Sequence, residues 1–151
     1  MNALVEMDDT AIALQAAGLP RKQALRCVIE QVEQALKARP DSLGEDPFPL
    51  KHQFADGVYL RQIFLPADSL TVGKIHKTRH ASFMTVGEVE VLTENGVEHI
   101  VAPAVFISEP GTKRVVYAVR DTLWTNIHAT TSTDPKEIED QVIAKSYEEL
   151  T

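Results

Sequence analysis

Residues 83–107, FMTVGEVEVLTENGVEHIVAPAVFI, decide the fold. Two runs in which apolar and polar side chains alternate flank Glu94-Asn95-Gly96, and such alternation is the pattern of a half-buried strand. Asn-Gly is a strong signal for a two-residue turn, because that turn needs a positive φ at its central residues. The stretch therefore predicts a β-hairpin at the centre of a mainly β domain.

Further strands are predicted on both sides of this hairpin. The run GVYLRQIFL at 57–65 alternates and is rich in β-forming residues. The run KRVVYAVRDTLWTNIHATT at 113–131 predicts a second hairpin, which turns near Arg120-Asp121-Thr122. Six to eight short strands between residues 54 and 130 favour a jelly roll or a β-sandwich.

The N-terminal third is predicted to be helical. The runs DDTAIALQAAG at 8–18 and PRKQALRCVIEQVEQALKA at 20–38 each have helical signals. Asp8 or Asp9 is the expected N-cap of the first helix and Gly18 its stop, while Pro20 suits the first turn of the second. The run RPDSLGEDPFPL at 39–50 has three prolines and a glycine, which predicts a linker.

The C-terminus is predicted to be an acidic helix. Asp134 is the expected cap and Pro135 the first helical residue. We therefore expect a helical extension with a linker at 1–50, a β-barrel at 51–132 and a helix packed on that barrel at 133–151.

Composition and charge exclude several classes of function. The chain has 151 residues and a formal net charge of −7, so it lacks the basic surface of a general nucleic-acid binder or of a protein that adsorbs to anionic membranes. No apolar run approaches the roughly 20 residues of a membrane-spanning helix, and the first residues lack a signal-peptide profile. Cys27 is the only cysteine, which excludes an internal disulfide and favours the cytoplasm of a bacterium or of an infected host cell.

The β region resembles the cupin superfamily, whose members are jelly rolls that often hold one metal. In the first cupin motif, G-x5-H-x-H-x(3,4)-E-x6-G, His76 occupies the second histidine position and Gly87 the closing glycine. Lys74 stands at the first histidine position, His80 at the glutamate and Asp68 at the opening glycine. The resemblance implies a cupin-like double-stranded β-helix with an α-helical N-terminal extension and a C-terminal helix.

The second cupin motif matches in fewer positions. In PAVFISEPGTKRVVYA at 103–118, Gly111 matches, whereas Arg114 stands at the ligand histidine and Ala118 at the asparagine. The runs VGKIHK at 72–77, PGTKR at 110–114 and WTNIHAT at 124–130 are similar to small cupin-like proteins of bacteriophages. That similarity implies a phage origin, and it does not imply a reaction.

A replacement for the ligand missing at Arg114 is predicted from the second hairpin. If this hairpin centres on Asp121, Arg114 faces His128, and directly opposed residues share a face of the sheet. His76, His80 and His128 then converge inside the barrel. Three neutral imidazoles suit a divalent transition metal such as zinc, iron, nickel, copper or manganese, and they leave a coordination position open.

Two cations, Lys74 and Arg114, are expected on the rim of the same pocket. Like charges this close cost roughly 2–4 kcal/mol per pair, so the pocket should attract a carboxylate or a phosphate. Tyr59, Asn126 and Trp124 are predicted to line it. Three interpretations stay open: a metal site with an anionic ligand, a metal-free anion pocket, and histidines that make only hydrogen bonds.

Three classes of function fit these features. The first is an enzyme acting on an anionic small molecule, and the second is a binding module for such a molecule without turnover. The third is a non-enzymatic phage component, either virion-associated or accessory in the infected cell, with phage structural proteins as partners. A homo-oligomer, most simply a dimer, is expected because the edges of a jelly roll need covering.

Overall fold

A computed structural model describes residues 3–42 and 47–150 of the chain. Residues 43–46 of the predicted linker lie outside these ranges. The elements in chain order are α1 (Ala3–Ala16), α2 (Arg21–Ala38), β1 (Leu50–Ala55), β2 (Val58–Leu65), β3 (Leu70–Val72), β4 (Ile75–His76), β5 (His80–Thr93), β6 (Gly96–Val101), β7 (Ala104–Ser108), β8 (Val115–Ala129), α3 (Pro135–Val142), β9 (Ile143–Ala144) and a 3₁₀ helix (Tyr147–Leu150).

A seven-stranded antiparallel sheet contains most of the described strands. Its order is β1-β2-β8-β5-β6, with β3 paired to β8 and β7 paired to β5. Register shifts in β5 between Met84 and Val89 bend the long β5–β8 pair. As a result, Met84 and Trp124 from one half of the pair share a buried cluster with Val91 and Val116 from the other half. The fold is thus a mainly β, cupin-like jelly roll.

The two N-terminal helices cover the outer face of one half of the sheet. Leu25 and Ile29 of α2 are fully buried, and they pack in one cluster with Leu92 and Val115. Both helices were predicted, and α2 starts directly after Pro20 as expected. The predicted cap of the first helix is wrong, because α1 already begins at Ala3. No helix in the described ranges is long and apolar enough to cross a membrane.

The predicted hairpin at Asp121 is wrong. β8 runs from Val115 to Ala129 without a turn, so Arg114 does not face His128 across two strands. The polar run that resembles a turn lies where β8 bends opposite the bulges of β5. There the Asp121 carboxylate accepts a hydrogen bond from the Ala67 backbone N–H (2.8 Å).

The hairpin at Asn95 is confirmed with a shift of one residue. Thr93 pairs with Gly96, so Glu94 and Asn95 form the loop and Gly96 has φ +111°. The strand predicted after this turn is divided in two. β6 ends at Val101 and β7 begins at Ala104, with a cis peptide bond between Ala102 and Pro103.

The C-terminal helix starts as predicted but ends earlier. The Asp134 carboxylate accepts from the Lys136 N–H at 3.0 Å, and Pro135 is the first helical residue. α3 buries Ile138 against Tyr59, which packs the helix on the sheet. The helix stops at Val142, and β9 then pairs with β4.

Candidate metal centre

Three histidines from three strands meet inside the jelly roll. The ring centroids lie 4.3 Å apart for His76 and His80, 4.5 Å for His80 and His128, and 5.3 Å for His76 and His128. One ring nitrogen of each histidine lies within 4.8 Å of those of the other two. The structure therefore brings together the three residues that the sequence analysis selected as metal ligands.

Strand register places two of these histidines side by side. Ser82 of β5 pairs with Asn126 of β8, and in an antiparallel pair the next residues on the same face are His80 and His128. The convergence thus comes from β5 and β8, which are distant in sequence.

The backbone of the third histidine, His76, is positioned by contacts with β9 and with Gly111. His76 lies in β4, where it pairs with Ile143 of β9. The backbone carbonyl of His76 also accepts a hydrogen bond from the Gly111 N–H at 2.8 Å. Both contacts fix the backbone of His76 over the sheet face that carries His80 and His128.

The ring nitrogens of the cluster are available as ligands. His80 Nδ1 lies 3.1 Å from the Thr78 carbonyl oxygen, which can only accept, so Nδ1 carries the proton and Nε2 the lone pair. His80 Nε2, His76 Nδ1 and His128 Nδ1 are buried and have no hydrogen-bond partner among the described residues. Buried polar atoms are rarely left unpaired, so three together fit a divalent metal ion.

Burial holds the three imidazoles neutral, which is the form that ligates a metal. It lowers the pKa of His76 to about 2, with further lowering from His80, His128, Arg114 and Arg61. Burial, followed by His80 and Arg61, lowers the pKa of His128 to about 4. The pKa of His80 is also lowered, mainly by burial, although its hydrogen bond to Thr78 acts in the opposite direction.

Arg114 is a half-buried cation near this cluster. Its guanidinium lies 5.6 Å from the ring centroids of both Phe106 and Trp124, and Nη2 donates to Ser108 Oγ at 2.9 Å. Burial lowers the pKa of Arg114, and the charge of Glu98 partly opposes this effect. Arg114 makes no ion pair with a carboxylate in residues 3–42 or 47–150.

A chain of hydrogen bonds links Arg114 to Asn126 across the inner face. Because Arg114 donates to Ser108, and Ser82 Oγ donates to Asn126 Oδ1 at 2.8 Å, Ser108 donates to Ser82 across 3.1 Å. Trp124 Nε1 also donates to Asn126 Oδ1, at 2.9 Å. The Asn126 side-chain oxygen therefore accepts from two donors, which fixes the orientation of the Asn126 amide.

The other predicted pocket residues occupy different positions. Tyr59 stacks on His128 with ring centroids 6.2 Å apart, and its hydroxyl lies 2.6 Å from His52 Nδ1. Lys74 forms an ion pair with Glu139 of α3. Tyr59 is thus a direct neighbour of a candidate ligand, whereas Lys74 is engaged by the C-terminal helix.

Arg61 is a further cation near the site, and the sequence alone left open which face of β2 carries it. It pairs with Asn126 in the register of β2 and β8, and its charge lowers the pKa of His76 and His128. The signal was present in the alternation of β2, where Tyr59 and Arg61 share one face. Ser82 and Ser108 were also missed, because serine in a strand has no distinctive pattern.

Comparison with known proteins supports the fold. No family model matches the chain, and no curated protein matches it in sequence. The structure is similar to ectoine synthase from P. lautus, with 14% identity, 72% of this chain and 82% of that chain covered, and a TM-score of 0.52.

Two further solved structures are similar over a shorter part of the chain. A cupin domain from Bordetella pertussis has 13% identity, with 55% of this chain and 93% of that chain covered and a TM-score of 0.44. An RmlC-like cupin family protein with a double-stranded β-helix fold, from Methanocaldococcus jannaschii, has 13% identity, 64% and 91% coverage, and a TM-score of 0.45. At these identities the likeness concerns the fold alone.

Proposed function

We propose that the protein binds a divalent transition metal through His76, His80 and His128 and holds an anionic small molecule beside it. The observation that carries this proposal is the cluster of three histidines. One ring nitrogen of each lies within 4.8 Å of those of the other two, and each ring has one buried nitrogen without a hydrogen-bond partner in the described part of the chain. Zinc, iron, nickel and copper are the metals whose preferences such nitrogen ligands meet. A bound metal would supply a Lewis acid with coordination positions left for a ligand.

The charge of the site favours an anionic ligand. Three neutral histidines leave the full charge of a metal uncompensated, and Arg114 and Arg61 add positive charge close by. The cluster contains no carboxylate among the described residues. An incoming carboxylate or phosphate would offset this excess of positive charge.

Arg114 is the residue that we expect to orient the anion. One of its guanidinium nitrogens is taken by Ser108, and the remaining N–H groups can donate to a carboxylate or phosphate in a fixed geometry. Arg114 also lines a groove of about 360 Å³, whose other lining residues include Phe106, Glu98 and Glu109 but none of the three histidines. We therefore expect the anion to lie on the side of Arg114 that faces the histidines, and not in this groove.

The proposal concerns binding, and turnover needs a separate test. A general base is expected close to the reacting atoms, and the described three-histidine cluster includes no Asp or Glu. The phage origin, the virion role and phage structural partners stay predictions of the sequence resemblance.

The metal site is tested by elemental analysis of native protein and a His80→Ala variant. We expect about one metal per chain in the native protein and none in the variant, because two imidazoles hold a metal far more weakly than three. His99→Ala is the matched control, since His99 lies on the surface with Nε2 paired to Glu88 (2.8 Å). Native protein without metal after supplying zinc, iron(II), nickel and manganese would contradict the proposal.

The anion site is tested in cobalt(II)-loaded protein, whose visible spectrum reports changes in coordination. We expect Arg114→Gln to weaken binding of inorganic phosphate and of acetate by about 10- to 100-fold, the value of a charge-assisted hydrogen bond. Bound cobalt should be unchanged. Arg79→Gln, which removes an exposed arginine paired with Glu109, is the control and should bind both anions as the native protein does. Equal anion affinities in the two variants would refute the role of Arg114.

A further inference from the structure

The strand that carries His76 is very short and lies apart from the main sheet. β4 consists of Ile75 and His76, and among residues 3–42 and 47–150 its partner strand is β9, which has the same length. Two strands of two residues make too little contact to be stable without further packing. The position of the His76 ring therefore depends on what holds β9 in place.

α3, which leads directly into β9, contacts the chain on both sides of His76. Glu139 of α3 forms an ion pair with Lys74, two residues before His76. One residue after His76, the Lys77 backbone N–H donates to the Val142 carbonyl at 2.7 Å. We call α3 and β9 together the C-terminal clamp.

The C-terminal clamp is anchored to the main sheet beside His128. Ile138 of α3 is fully buried against Tyr59, and the Tyr59 ring stacks on that of His128 with centroids 6.2 Å apart. The clamp thus packs on one side against the neighbour of His128 and pairs on the other with the strand of His76. It thereby fixes the separation of these two histidine rings, whose centroids lie 5.3 Å apart.

The contacts of the C-terminal clamp are individually weak. α3 has eight residues, fewer than an isolated helix needs to be stable in water. The Lys74 and Glu139 side chains expose 34% and 45% of their surface, so their ion pair adds little stability. A metal ion held by all three histidines would link β4 directly to the main sheet and would add to these contacts.

We infer that the C-terminal clamp positions His76 as the third ligand, and that metal binding and docking of the clamp favour each other. The inference rests on the proposed metal site. Opening of the clamp would release His76 and leave a site of two histidines, His80 and His128, on strands of the main sheet. Because coupling between two equilibria is reciprocal, a metal that requires the docked clamp also stabilises it. Glu139 is a positioning residue, since it acts through Lys74 and β4.

The positioning role is tested by cobalt(II) binding to Glu139→Lys, measured by the visible spectrum. We expect cobalt to bind about 10-fold more weakly than to the native protein, because two ammonium groups would repel each other where an ion pair now holds β4. The spectrum of the bound cobalt should also change, since part of the metal loses one imidazole.

Glu137→Lys is the matched control for this variant. It makes the same change of charge on the same helix, but the Glu137 carboxylate accepts a hydrogen bond from Ser132 Oγ (2.7 Å) and makes no contact with Lys74. This control should bind cobalt with the affinity and the spectrum of the native protein. Both variants should keep the native circular dichroism spectrum.

The coupling is tested by hydrogen exchange of the Lys77 amide, whose hydrogen bond joins the segment after β4 to the clamp. In native protein zinc should slow this exchange at least ~10-fold, because opening of the clamp would break the bond between His76 and the metal. In metal-free protein the exchange should be faster in Glu139→Lys than in Glu137→Lys. His80→Ala keeps the clamp but lacks a ligand, and zinc should not slow its exchange.

The outcomes separate this inference from the proposed function. Native protein that binds neither cobalt nor zinc would refute the metal site and this inference together. If native protein binds cobalt and Glu139→Lys equals Glu137→Lys in affinity and spectrum, the inference is overturned and the metal site stands. Exchange of the Lys77 amide that zinc does not slow in metal-binding native protein would have the same consequence.

Discussion

Gly87→Ala is expected to lower the free energy of unfolding by at least ~4 kcal/mol, which places it among the most damaging single substitutions. Gly87 has φ +115°, a conformation that residues with a Cβ rarely adopt. An added Cβ would lie 2.6 Å from the Thr122 Cα and would also overlap the Thr122 Oγ1. Because the obstacle includes backbone of β8, no side-chain rotation relieves it.

The consequence extends to the whole jelly roll. Gly87 lies among the bulges at which β5 bends, and its carbonyl accepts from the Ala102 N–H at 2.9 Å. This close approach to β8 lets the two halves of the β5–β8 pair enclose one core. Alanine would force the strands apart there, which exposes core residues and displaces the face that carries His80 and His128.

The measurement is urea unfolding of metal-free protein, so that bound metal adds no stability of its own. Gly57→Ala is the control, because Gly57 has φ +76° but nothing lies within 4 Å of the added Cβ. That variant should lose only the backbone contribution of about 1 kcal/mol. Combining Gly87→Ala with Thr122→Ala should restore little, since the overlap with the backbone of residue 122 remains. A Gly87→Ala protein as stable as Gly57→Ala would contradict the steric account.

Lowering the pH from 7 to 5 is expected to destabilise the metal-free protein by roughly 4 kcal/mol. The ordinary histidine pKa is 6.5, whereas His76 and His128 have folded-state pKa values of about 2 and about 4. Below pH 6.5 the unfolded chain therefore takes up protons that the folded chain does not, and stability falls with pH. Each histidine contributes about 2 kcal/mol over this interval, since one pKa unit corresponds to about 1.4 kcal/mol.

The charged and titratable groups around His76 and His128 all lower the pKa values of these two histidines. His80 of β5 and Arg61 of β2 lower the pKa of both histidines, and Arg114 further lowers that of His76. The free energy of unfolding should reach its highest value above pH 6.5, where both histidines are neutral in the folded and in the unfolded chain. As the pH falls, the loss of stability due to His128 should be complete by about pH 4, whereas the loss due to His76 should continue towards pH 2.

The test compares urea unfolding at pH 7 and pH 5 in the presence of a chelator. A variant with His76→Gln and His128→Gln should lose most of the pH dependence, because glutamine does not titrate in this range. His99→Gln changes an exposed histidine and should keep the native dependence. An unchanged slope in the double variant would assign the acid sensitivity to other groups.

Local chemistry in the sequence predicts the class of fold well. Alternation in β2 and β5, the start of α3 at Asp134-Pro135 and the stop of α1 near Gly18 depend on contacts within a few residues. Such contacts are readable because side-chain direction alternates along a strand and because caps act on their own helix.

The three histidines lie together, as the sequence analysis predicted, but the strand geometry that joins them was predicted wrongly. His128 was placed by a hairpin that does not exist, and the right face followed because residues two apart on a strand point the same way. The true partner of His128 in the sheet lies on β5, and His76 depends on β9 near the end of the chain. Pairing over such separations leaves no local signal.

For the charges and surfaces of the molecule, too, the sequence predicted some features and only the tertiary structure decided the others. The sequence by itself determined a mainly β domain with helical ends, a negative net charge and three candidate ligands. Only the tertiary structure decided that Arg61 lies near the histidines while Lys74 pairs with Glu139, and which half of the sheet the helices cover. The physical reason is that periodicity sets the face of a strand on which a residue lies, whereas strand pairing and helix docking set what that face meets.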